Sequence, residues 1–359
     1  MLDPVFLHDA LQLAIGGRGD EGGDRKAAEE LCLLPRRTRF HARGWGCLHG
    51  LRVRCRYRGY CHEAKRDHES TLVMLEVSHQ IKDMNPAAPA PVDELVIRDL
   101  VTHEDRLQCV ALQEATWGAG FTERVPVAIL QVGPKVGGIT AGAFDATGRL
   151  VGFVFGLTGI RHGVLAHWSD MLAVVPELRG SGLAVRLKAW QRARCEAMGV
   201  CVMYWTWDPL VSRNSHFNLN KLGARVDEFV ENMYGVTSST LMGALPTDRF
   251  VAAWDFDDAL IARRRATRAA DAPRLAGAPL VAGGLALSPP ATWPDAAAVR
   301  VIVPNDFSAL LGDDPEAAAA YRRNSHAAFT HYFALRYQIS SFHPTPGGDG
   351  TYLLTRSTP

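Results

Sequence analysis

A glycine-rich turn is the part of this sequence whose residue types most clearly suggest chemistry. Residues 174–190 read VVPELRGSGLAVRLKAW: a strand-like run stops at a proline, Arg-Gly-Ser-Gly follows, and a basic amphipathic stretch begins. A helix N-terminus has free amides and the positive end of the helix dipole, so this turn suits an anionic group. Gly180 and Gly182 let an anion approach the backbone, and Arg179 adds a positive charge.

Known nucleotide-binding loops do not account for this turn. It lacks the lysine and the serine or threonine of a nucleotide P-loop. The letters GSGLAV also fail to supply the dinucleotide-binding glycine pattern with its following acidic residue. The remaining interpretation is a pyrophosphate on an arm that lies along the preceding strand; a purely structural turn is the alternative.

Composition limits the classes of protein that the chain can represent. Its 359 residues have 47% hydrophobic and 21% charged side chains and a formal net charge of +1. This balance predicts a soluble globular protein without a chain-wide role on nucleic acids or membranes. No apolar run reaches the roughly 20 residues of a membrane span. The acidic start and the seven unpatterned cysteines favour reduced thiols in a cytoplasmic protein.

The elements that must position the turn follow from hydrophobic periodicity. ELVIRDL predicts a strand, and Thr102 begins a helix with a capping box to Asp105 and a stop at Gly118. A hairpin, a strand, the helix after the glycine turn, the aromatic strand VCVMYWTWDP, a short helix ending in KLGA and another strand follow. The order is β-α-β-β-β-α-β-α-β, which predicts an α/β domain with a mixed sheet.

With these residues and this order, residues 94–236 resemble the GNAT superfamily of acyl-CoA-dependent N-acyltransferases. The family motif, R/Q-x-x-G-x-G/A after a hydrophobic strand ending in proline, is matched by RGSGLA after LAVVP. The resemblance extends to a branch of predicted acetyltransferases. It implies a GNAT-like fold in which strands four and five diverge, acetyl-CoA as the acyl donor, and an amine acceptor.

The resemblance also implies roles for particular residues. The amides of the turn would hold the coenzyme A pyrophosphate, and the backbone of β-strand residues Leu172 and Val174 would pair with the pantetheine arm. The Leu172 amide would polarise the thioester carbonyl. The implied coenzyme-binding residues are Leu172, Val174, Arg179, Gly180, Ser181, Gly182, Leu183, Ala184 and Asn214.

Two positions depart from the family pattern. The tyrosine that protonates the leaving thiolate in many members corresponds to Leu219, which has no proton to give. Asn214 lies about two residues from the usual asparagine. These departures leave open a catalytically silent acyl-CoA-binding sensor or scaffold.

Candidates for the base and the acceptor pocket come from strands four and five. Asp170 lies two residues before Leu172 and is expected to face the same cleft, whereas His167 faces the other way if the strand alternates. A structural strand-end carboxylate is the alternative for Asp170. We expect Tyr204, Trp205 and Trp207 to line the acceptor pocket, although aromatic residues of a central strand are often simple core. Asp208 and Glu231 are further acids that would attract an amine.

The chain ends divide into segments with different composition. Residues 1–83 form a basic extension that we expect to be disordered or non-native, with the working protein beginning at Met84. The alternatives for this extension are an RNA-binding arm at residues 36–66 or a zinc site; its candidate ligands are Cys47, Cys55, Cys61, His62 and His68. The spacings of these candidate ligands match no established zinc-binding pattern, and we expect no metal.

The remaining segment boundaries follow from the same differences in composition along the chain. Residues 84–258 form the predicted acyltransferase domain, 259–297 an Ala/Pro/Arg-rich linker, and 298–359 a βαββ subdomain. Sixty residues hold too little core to fold alone, so we expect the subdomain to pack on the domain before it. The charged pair Asp248–Arg249 is expected to tie the two together; a role in shaping the acceptor site is the alternative. The predicted partners are acyl-CoA and a small amine, with a homodimer left open.

Overall fold

The computed structural model describes residues 91–235, 245–283 and 292–356, all of which fall within one compact unit, Arg66–Pro359. The basic extension, with its candidate zinc ligands and RNA-binding arm, and Met84 lie outside these residues. None of the helices in the described ranges is long and apolar enough to cross a membrane.

The larger of two sheets is a seven-stranded mixed sheet in the order β1-β2-β3-β4-β5-β7-β6. Its strands are β1 (Val96–Asp99), β2 (Ile139–Phe144), β3 (Leu150–Arg161), β4 (Val164–Val174), β5 (Val202–Trp207), β6 (Arg225–Val230) and β7 (Arg249–Asp255). Neighbouring strands are antiparallel except β4 and β5, which are parallel. The predicted α/β class with a mixed sheet is confirmed.

Helices cover this sheet and connect its strands. They are α1 (His103–Trp117), α2 (Val127–Val132), α3 (Leu183–Ala197) and α4 (Ser212–Ser215), which continues into a π-helical segment (His216–Leu222). Short 3₁₀ turns are Val92–Glu94, Gly133–Val136 and Pro176–Leu178. The predicted capping box is present, because Thr102 Oγ1 accepts from the Asp105 amide and Asp105 accepts from the Thr102 amide, both at 3.0 Å.

The sequence pattern missed two elements of the domain. Helix α2 spans only six residues and follows a proline, so no helical period has room to develop. Strand β7 is buried at nearly every position and inserts between β5 and β6. Because both of its faces are covered, its residues do not alternate between polar and apolar.

A second sheet of four strands has the order β10-β11-β9-β8. Its strands are β8 (Leu280–Ala282), β9 (Ala298–Val303), β10 (Tyr337–Pro344) and β11 (Gly350–Arg356), with helices α7 (Phe307–Asp313) and α8 (Pro315–Ala334). As predicted, Pro315 is the first residue of the long helix, and Asp314 caps it by accepting from the Ala317 amide at 2.9 Å.

The predicted linker is wrong for the described part of residues 259–297. That part contains α5 (Asp258–Ala270), α6 (Ala272–Gly277) and β8. Arg268 of α5 is buried and donates to the carbonyls of Leu219 and Ala224, the latter at 2.7 Å. The arginine and alanine content that suggested a flexible linker is instead that of an amphipathic helix, whose buried residues are Ile261 and Arg268.

One hydrophobic core joins the two sheets. It includes Trp207 and Phe250 from the first sheet and Phe329, Ile339 and Tyr352 from the C-terminal part. Phe329 lies 4.8 Å from Phe250 and 5.7 Å from Tyr352 between ring centroids. The expectation that the C-terminal subdomain packs on the preceding domain is confirmed.

Candidate active site

The gap between β4 and β5 is the feature around which the candidate site is built. The two strands pair only at His167 with Met203 and at Trp168 with Tyr204. Beyond these pairs β4 stays bonded to β3, and β5 stays bonded to β7. The strands therefore diverge, and their facing edges have no partner strand. We call this gap, which runs along β4 as far as Val174, the fork.

A bulge in β4 lies at the start of the fork. Met171 pairs with Phe155 and Ser169 with Gly156, which leaves Asp170 as the extra residue. A bulge re-aims the side chains around it and interrupts their alternation. Consecutive residues of β4 can therefore contribute to one cavity.

Backbone direction along β4 follows from one hydrogen bond. The amide of Val175, the residue after β4, donates to the Val151 carbonyl of β3 at 3.0 Å. Because backbone groups alternate along an antiparallel strand, those of Val174 and Leu172 point the other way, into the fork. Consistent with this, the Val174 carbonyl accepts from Arg179 Nε at 3.4 Å. The structure thus directs the backbone groups of both residues toward an open edge.

The glycine turn stands just beyond the end of β4. Gly180 and Gly182 have φ values of +80° and +92°, a left-handed conformation that favours glycine, and nothing lies within 4 Å of where their Cβ atoms would be. The Leu183 amide donates to Ser181 Oγ at 3.4 Å. Within the described residues, the amides of Gly180, Gly182 and Ala184 have no acceptor. Free amides on an open, electropositive helix end suit an anion.

A cavity of about 330 Å³ opens in the fork. Six residues named by the sequence analysis line it: Asp170, Leu172, Trp205, Trp207, Asp208 and Asn214. Residues that the sequence analysis did not assign to it also line it, among them Lys188, Thr206, Asn218, Tyr234 and Arg249.

Asp170 is the carboxylate of this cavity with the fewest attachments. Its side chain is exposed to the cavity and, in the part of the chain that the structure describes, accepts no hydrogen bond. The surrounding protein limits its hydration, and this desolvation raises the pKa of Asp170. A carboxylate with a raised pKa and free oxygens is chemically suited to accept a proton.

The aromatic residues of β5 divide between the two faces of the sheet. Trp205 and Trp207 face the cavity side, where their ring nitrogens donate to Asn218 Oδ1 at 3.0 Å and to Ser215 Oγ at 3.1 Å. Tyr204, which was expected in the acceptor pocket, is not among the residues that line the cavity; it packs in a separate cluster, with the Arg161 guanidinium 4.6 Å from the centre of its ring.

A buried polar chain lies on the α3 side of the fork. Lys188 Nζ donates to Ser169 Oγ at 2.7 Å, and Ser169 donates to Gln191 at 2.9 Å. Gln191 Nε2 lies 3.0 Å from His167 Nε2, and His167 Nδ1 lies 2.9 Å from Thr158 Oγ1. Burial, and secondarily Lys188, lower the pKa of His167 to about 3, so His167 is neutral and is not the base.

The other acidic and basic candidates have structural partners. Asp208 is buried between the guanidinium groups of Arg322 and Arg249, so it is not available to attract an amine. Glu231 accepts from Thr330 at 2.6 Å outside the cavity lining.

The charged pair Asp248–Arg249 connects the two parts as expected. Asp248 contacts His326 of α8 at 3.0 Å. Arg249 additionally reaches the cavity wall. Within the described ranges, no cluster of His, Cys, Asp and Glu could hold a metal ion.

Comparisons with known proteins gave matches among solved structures, and those reported below cover less than half of this chain. No family model and no curated protein matches the sequence. Similar solved structures include the NatC complex bound to Gag peptide and CoA, with 17% identity over 46% of this chain and 99% of that chain and a TM-score of 0.36. A GNAT-family acetyltransferase from Streptococcus pneumoniae has 18% identity over 45% of this chain and 98% of its own, with a TM-score of 0.36.

An aminoglycoside 6'-N-acetyltransferase complexed with coenzyme A has 15% identity over 45% of this chain and 97% of its own, with a TM-score of 0.35. At these identities the likeness concerns the fold alone. In this chain's own geometry, β4 and β5 diverge and the glycine turn follows β4, as the sequence analysis expected.

Proposed function

We propose that this protein is an acyl-CoA-dependent N-acetyltransferase that moves acetyl from acetyl-CoA to a small amine by direct attack. The observation that carries the proposal is that three features follow one another along β4. These are the open glycine turn, the unpaired backbone edge of Leu172 and Val174, and the cavity beside Asp170. Together they suit an anionic head, a linear arm with amide groups, and a reactive end.

Donor binding is assigned to the turn and to β4. The free amides of Gly180, Gly182 and Ala184 hold the pyrophosphate, Arg179 adds charge, and the backbone of Leu172 and Val174 bonds to the pantetheine amides. Asn214, exposed on α4 at the cavity wall, contacts the same arm. Acetyl-CoA supplies an activated acyl group, so this reaction needs no metal.

Acyl transfer is assigned to the cavity. The Leu172 amide stabilises negative charge that develops on the thioester oxygen. Asp170 takes the proton of the attacking amine, and Trp205 and Trp207 form the wall against which the acceptor packs.

A protein that binds acyl-CoA without turnover is the second candidate. Leu219, which occupies the position of the family's acidic tyrosine, is fully buried in the core. Release of free thiol from acetyl-CoA across a panel of amines separates the two candidates. Thiol release that depends on both the amine and the protein supports the enzyme, whereas tight binding without release supports the silent module.

The coenzyme site is tested by Gly182→Glu, with acetyl-CoA binding measured by calorimetric titration. We expect binding to be abolished, because the new carboxylate enters the open side of the turn. Gly199→Glu is the matched control, since Gly199 has a φ of +79° and equally open surroundings at the other end of α3. It carries the same backbone strain without touching the turn.

Two results bear on the assignment. Arg179→Ala is expected to weaken binding by about 1–3 kcal/mol, as is typical for loss of one charged contact. Unchanged binding to folded Gly182→Glu, or equal loss in Gly199→Glu, would contradict the assignment of the turn.

A further inference from the structure

Lys188 lies at the closed end of the fork. Its ammonium donates to Ser169, lies 3.6 Å from Met203 Sδ and is 4.0 Å from the centre of the Trp205 ring. Met203 belongs to the last paired stretch of β5, and Ser169 is the first residue of β4 beyond its pairing with that strand. Lys188 is only 3% exposed, and that exposure is to the cavity that Leu172 and Asp170 also line.

The contacts of Lys188 hold its ammonium in place without neutralising it. Its contacts on β4 and β5 are a hydroxyl, a thioether and an indole ring. In the described part of the chain, no carboxylate forms an ion pair with it. A buried lysine without a counter-charge is costly for a fold, so such a residue is a candidate for chemistry rather than for stability.

The hydrogen-bond chain behind Lys188 has a fixed polarity. Thr158 donates to the Gly137 carbonyl at 2.6 Å, so it accepts from His167 Nδ1. His167 Nε2 therefore accepts from the Gln191 amide, whose oxygen accepts from Ser169. Ser169 is left with only its lone pairs for Lys188. The ammonium is thus oriented by neutral groups that cannot take its proton.

The titratable groups that face Lys188 are His167 on β4 and Cys195 on its own helix. Burial dominates, and it lowers the pKa of Lys188 to about 7. Near neutral pH, Lys188 therefore both holds and releases a proton. Asp170, at the same cavity, has its pKa shifted in the opposite direction.

We propose that Lys188 is the catalytic acid of this site, whose ammonium gives a proton to the sulfur of the leaving coenzyme A thiolate. This role rests on the proposed acetyl transfer. The amine nitrogen forms a bond to the acyl carbon as the carbon–sulfur bond breaks, and Asp170 accepts the amine proton. Lys188 supplies the proton that makes the free thiol. Exchange with solvent then returns Asp170 to its carboxylate and Lys188 to its ammonium.

Two other positions were considered for the proton donor, and neither fits this role. Leu219, at the position of the family's tyrosine, has no ionisable proton. Tyr234 lines the cavity, but burial raises its pKa, and its hydroxyl is already 3.0 Å from Thr206 Oγ1.

The test combines two substitutions at one position with acetyl-CoA titration and pH-dependent turnover. Lys188→Met removes the proton donor at similar length, and Lys188→Arg keeps a charge that does not ionise. We expect both variants to bind acetyl-CoA within about threefold of wild type and to lose turnover roughly 10²–10⁴-fold. Lys135→Met, at an exposed lysine, is expected to match wild type.

The pH profile provides a readout that a structural role would not move. Because Lys188 must be protonated to act, wild-type kcat should fall as pH rises through about 7. The residual activity of Lys188→Met should lack this alkaline fall. Ser169→Ala removes a hydrogen bond to the charged form, so it should lower the pKa and shift the fall to lower pH. This second variant serves if Lys188→Met does not fold.

The outcomes separate the two levels of the argument. The acid role alone would be overturned by any of three results in a wild type that turns over. These are wild-type turnover in Lys188→Met, wild-type turnover in Lys188→Arg, or a pH profile of kcat in Ser169→Ala that matches the wild-type profile. Loss of acetyl-CoA binding in folded Lys188 variants would make the residue a binding or structural one. A wild type without acetyl transfer would refute the proposed function and this role with it.

Discussion

Asp170 is the residue whose substitution separates proton transfer from coenzyme binding. Asp170→Asn keeps the shape of the side chain at the bulge but removes its basicity. We expect acetyl-CoA affinity to be unchanged and kcat/KM to fall about 10²–10⁴-fold, because only proton abstraction is lost. Steady-state kinetics with titration calorimetry measure both quantities. A variant with most of its activity would return Asp170 to a structural role.

At the residue scale, the sequence indicated which residues lie near the cavity and the turn, while their roles stay predictions. Asp170 and Leu172 reach one cavity, and the turn glycines have the conformations that their type suggests. Tyr204 was grouped with Trp205 and Trp207 because all three are aromatic, although adjacent strand residues point to opposite faces and only the two tryptophans line the cavity. Lys188 was missed because its position in a basic amphipathic helix is typical of a solvent-exposed lysine. Only the fold shows that α3 turns this side chain inward.

Helix α5 packs behind the wall of the candidate site. Its Ile261 packs against Gly223, where an added Cβ would lie 2.7 Å from the isoleucine Cγ2. Its Arg268 donates to the Leu219 carbonyl within the π-helical segment and to the Ala224 carbonyl just after it, and this segment forms one wall of the cavity through Phe217 and Asn218. The helix therefore supports the cavity from behind.

Removing the Arg268 guanidinium should destabilise that wall. Arg268→Met leaves buried carbonyls without donors, so we expect the free energy of unfolding to fall by about 2–4 kcal/mol. Arg263→Met is the matched control, because Arg263 lies on the exposed face of the same helix. Urea unfolding followed by circular dichroism measures the difference. If the two variants have equal free energies of unfolding, Arg268 contributes no more to stability than an exposed arginine does.

The element pattern was predictable where periodicity was long and capped. Helix α1 has a complete capping box and fifteen residues, and it was predicted with its ends. Helix α5 was not, because three consecutive arginines, Arg263, Arg264 and Arg265, hide its narrow apolar stripe from a composition-based reading. Strand β7 has no alternation because neighbours cover both its faces.

At the scale of the whole molecule, the shared core predicts one cooperative unit. Phe329 lies in that core, 1% exposed, between rings from both parts of the protein. Phe329→Ala should lower the free energy of unfolding by about 3–5 kcal/mol and shift one transition rather than split it. Differential scanning calorimetry provides the measurement. Two separated unfolding transitions, in the wild type or the variant, would show that the two sheets unfold independently. Leu335→Ala, at the exposed end of α8, is the control and should leave the transition unchanged.

The fork also bears on aggregation. An unpaired strand edge is a template for another chain, and proteins usually cover or charge such edges. Here the free edge of β4 lies inside a seven-stranded sheet, opposite β5, rather than at its rim. A strand from another protein would have to fit, with its side chains, between β4 and β5, which come together and pair directly at one end of the fork. A slender chain with amide groups and few substituents meets less of a barrier, so the shape that excludes other proteins also suits the pantetheine arm of the proposed acyl donor.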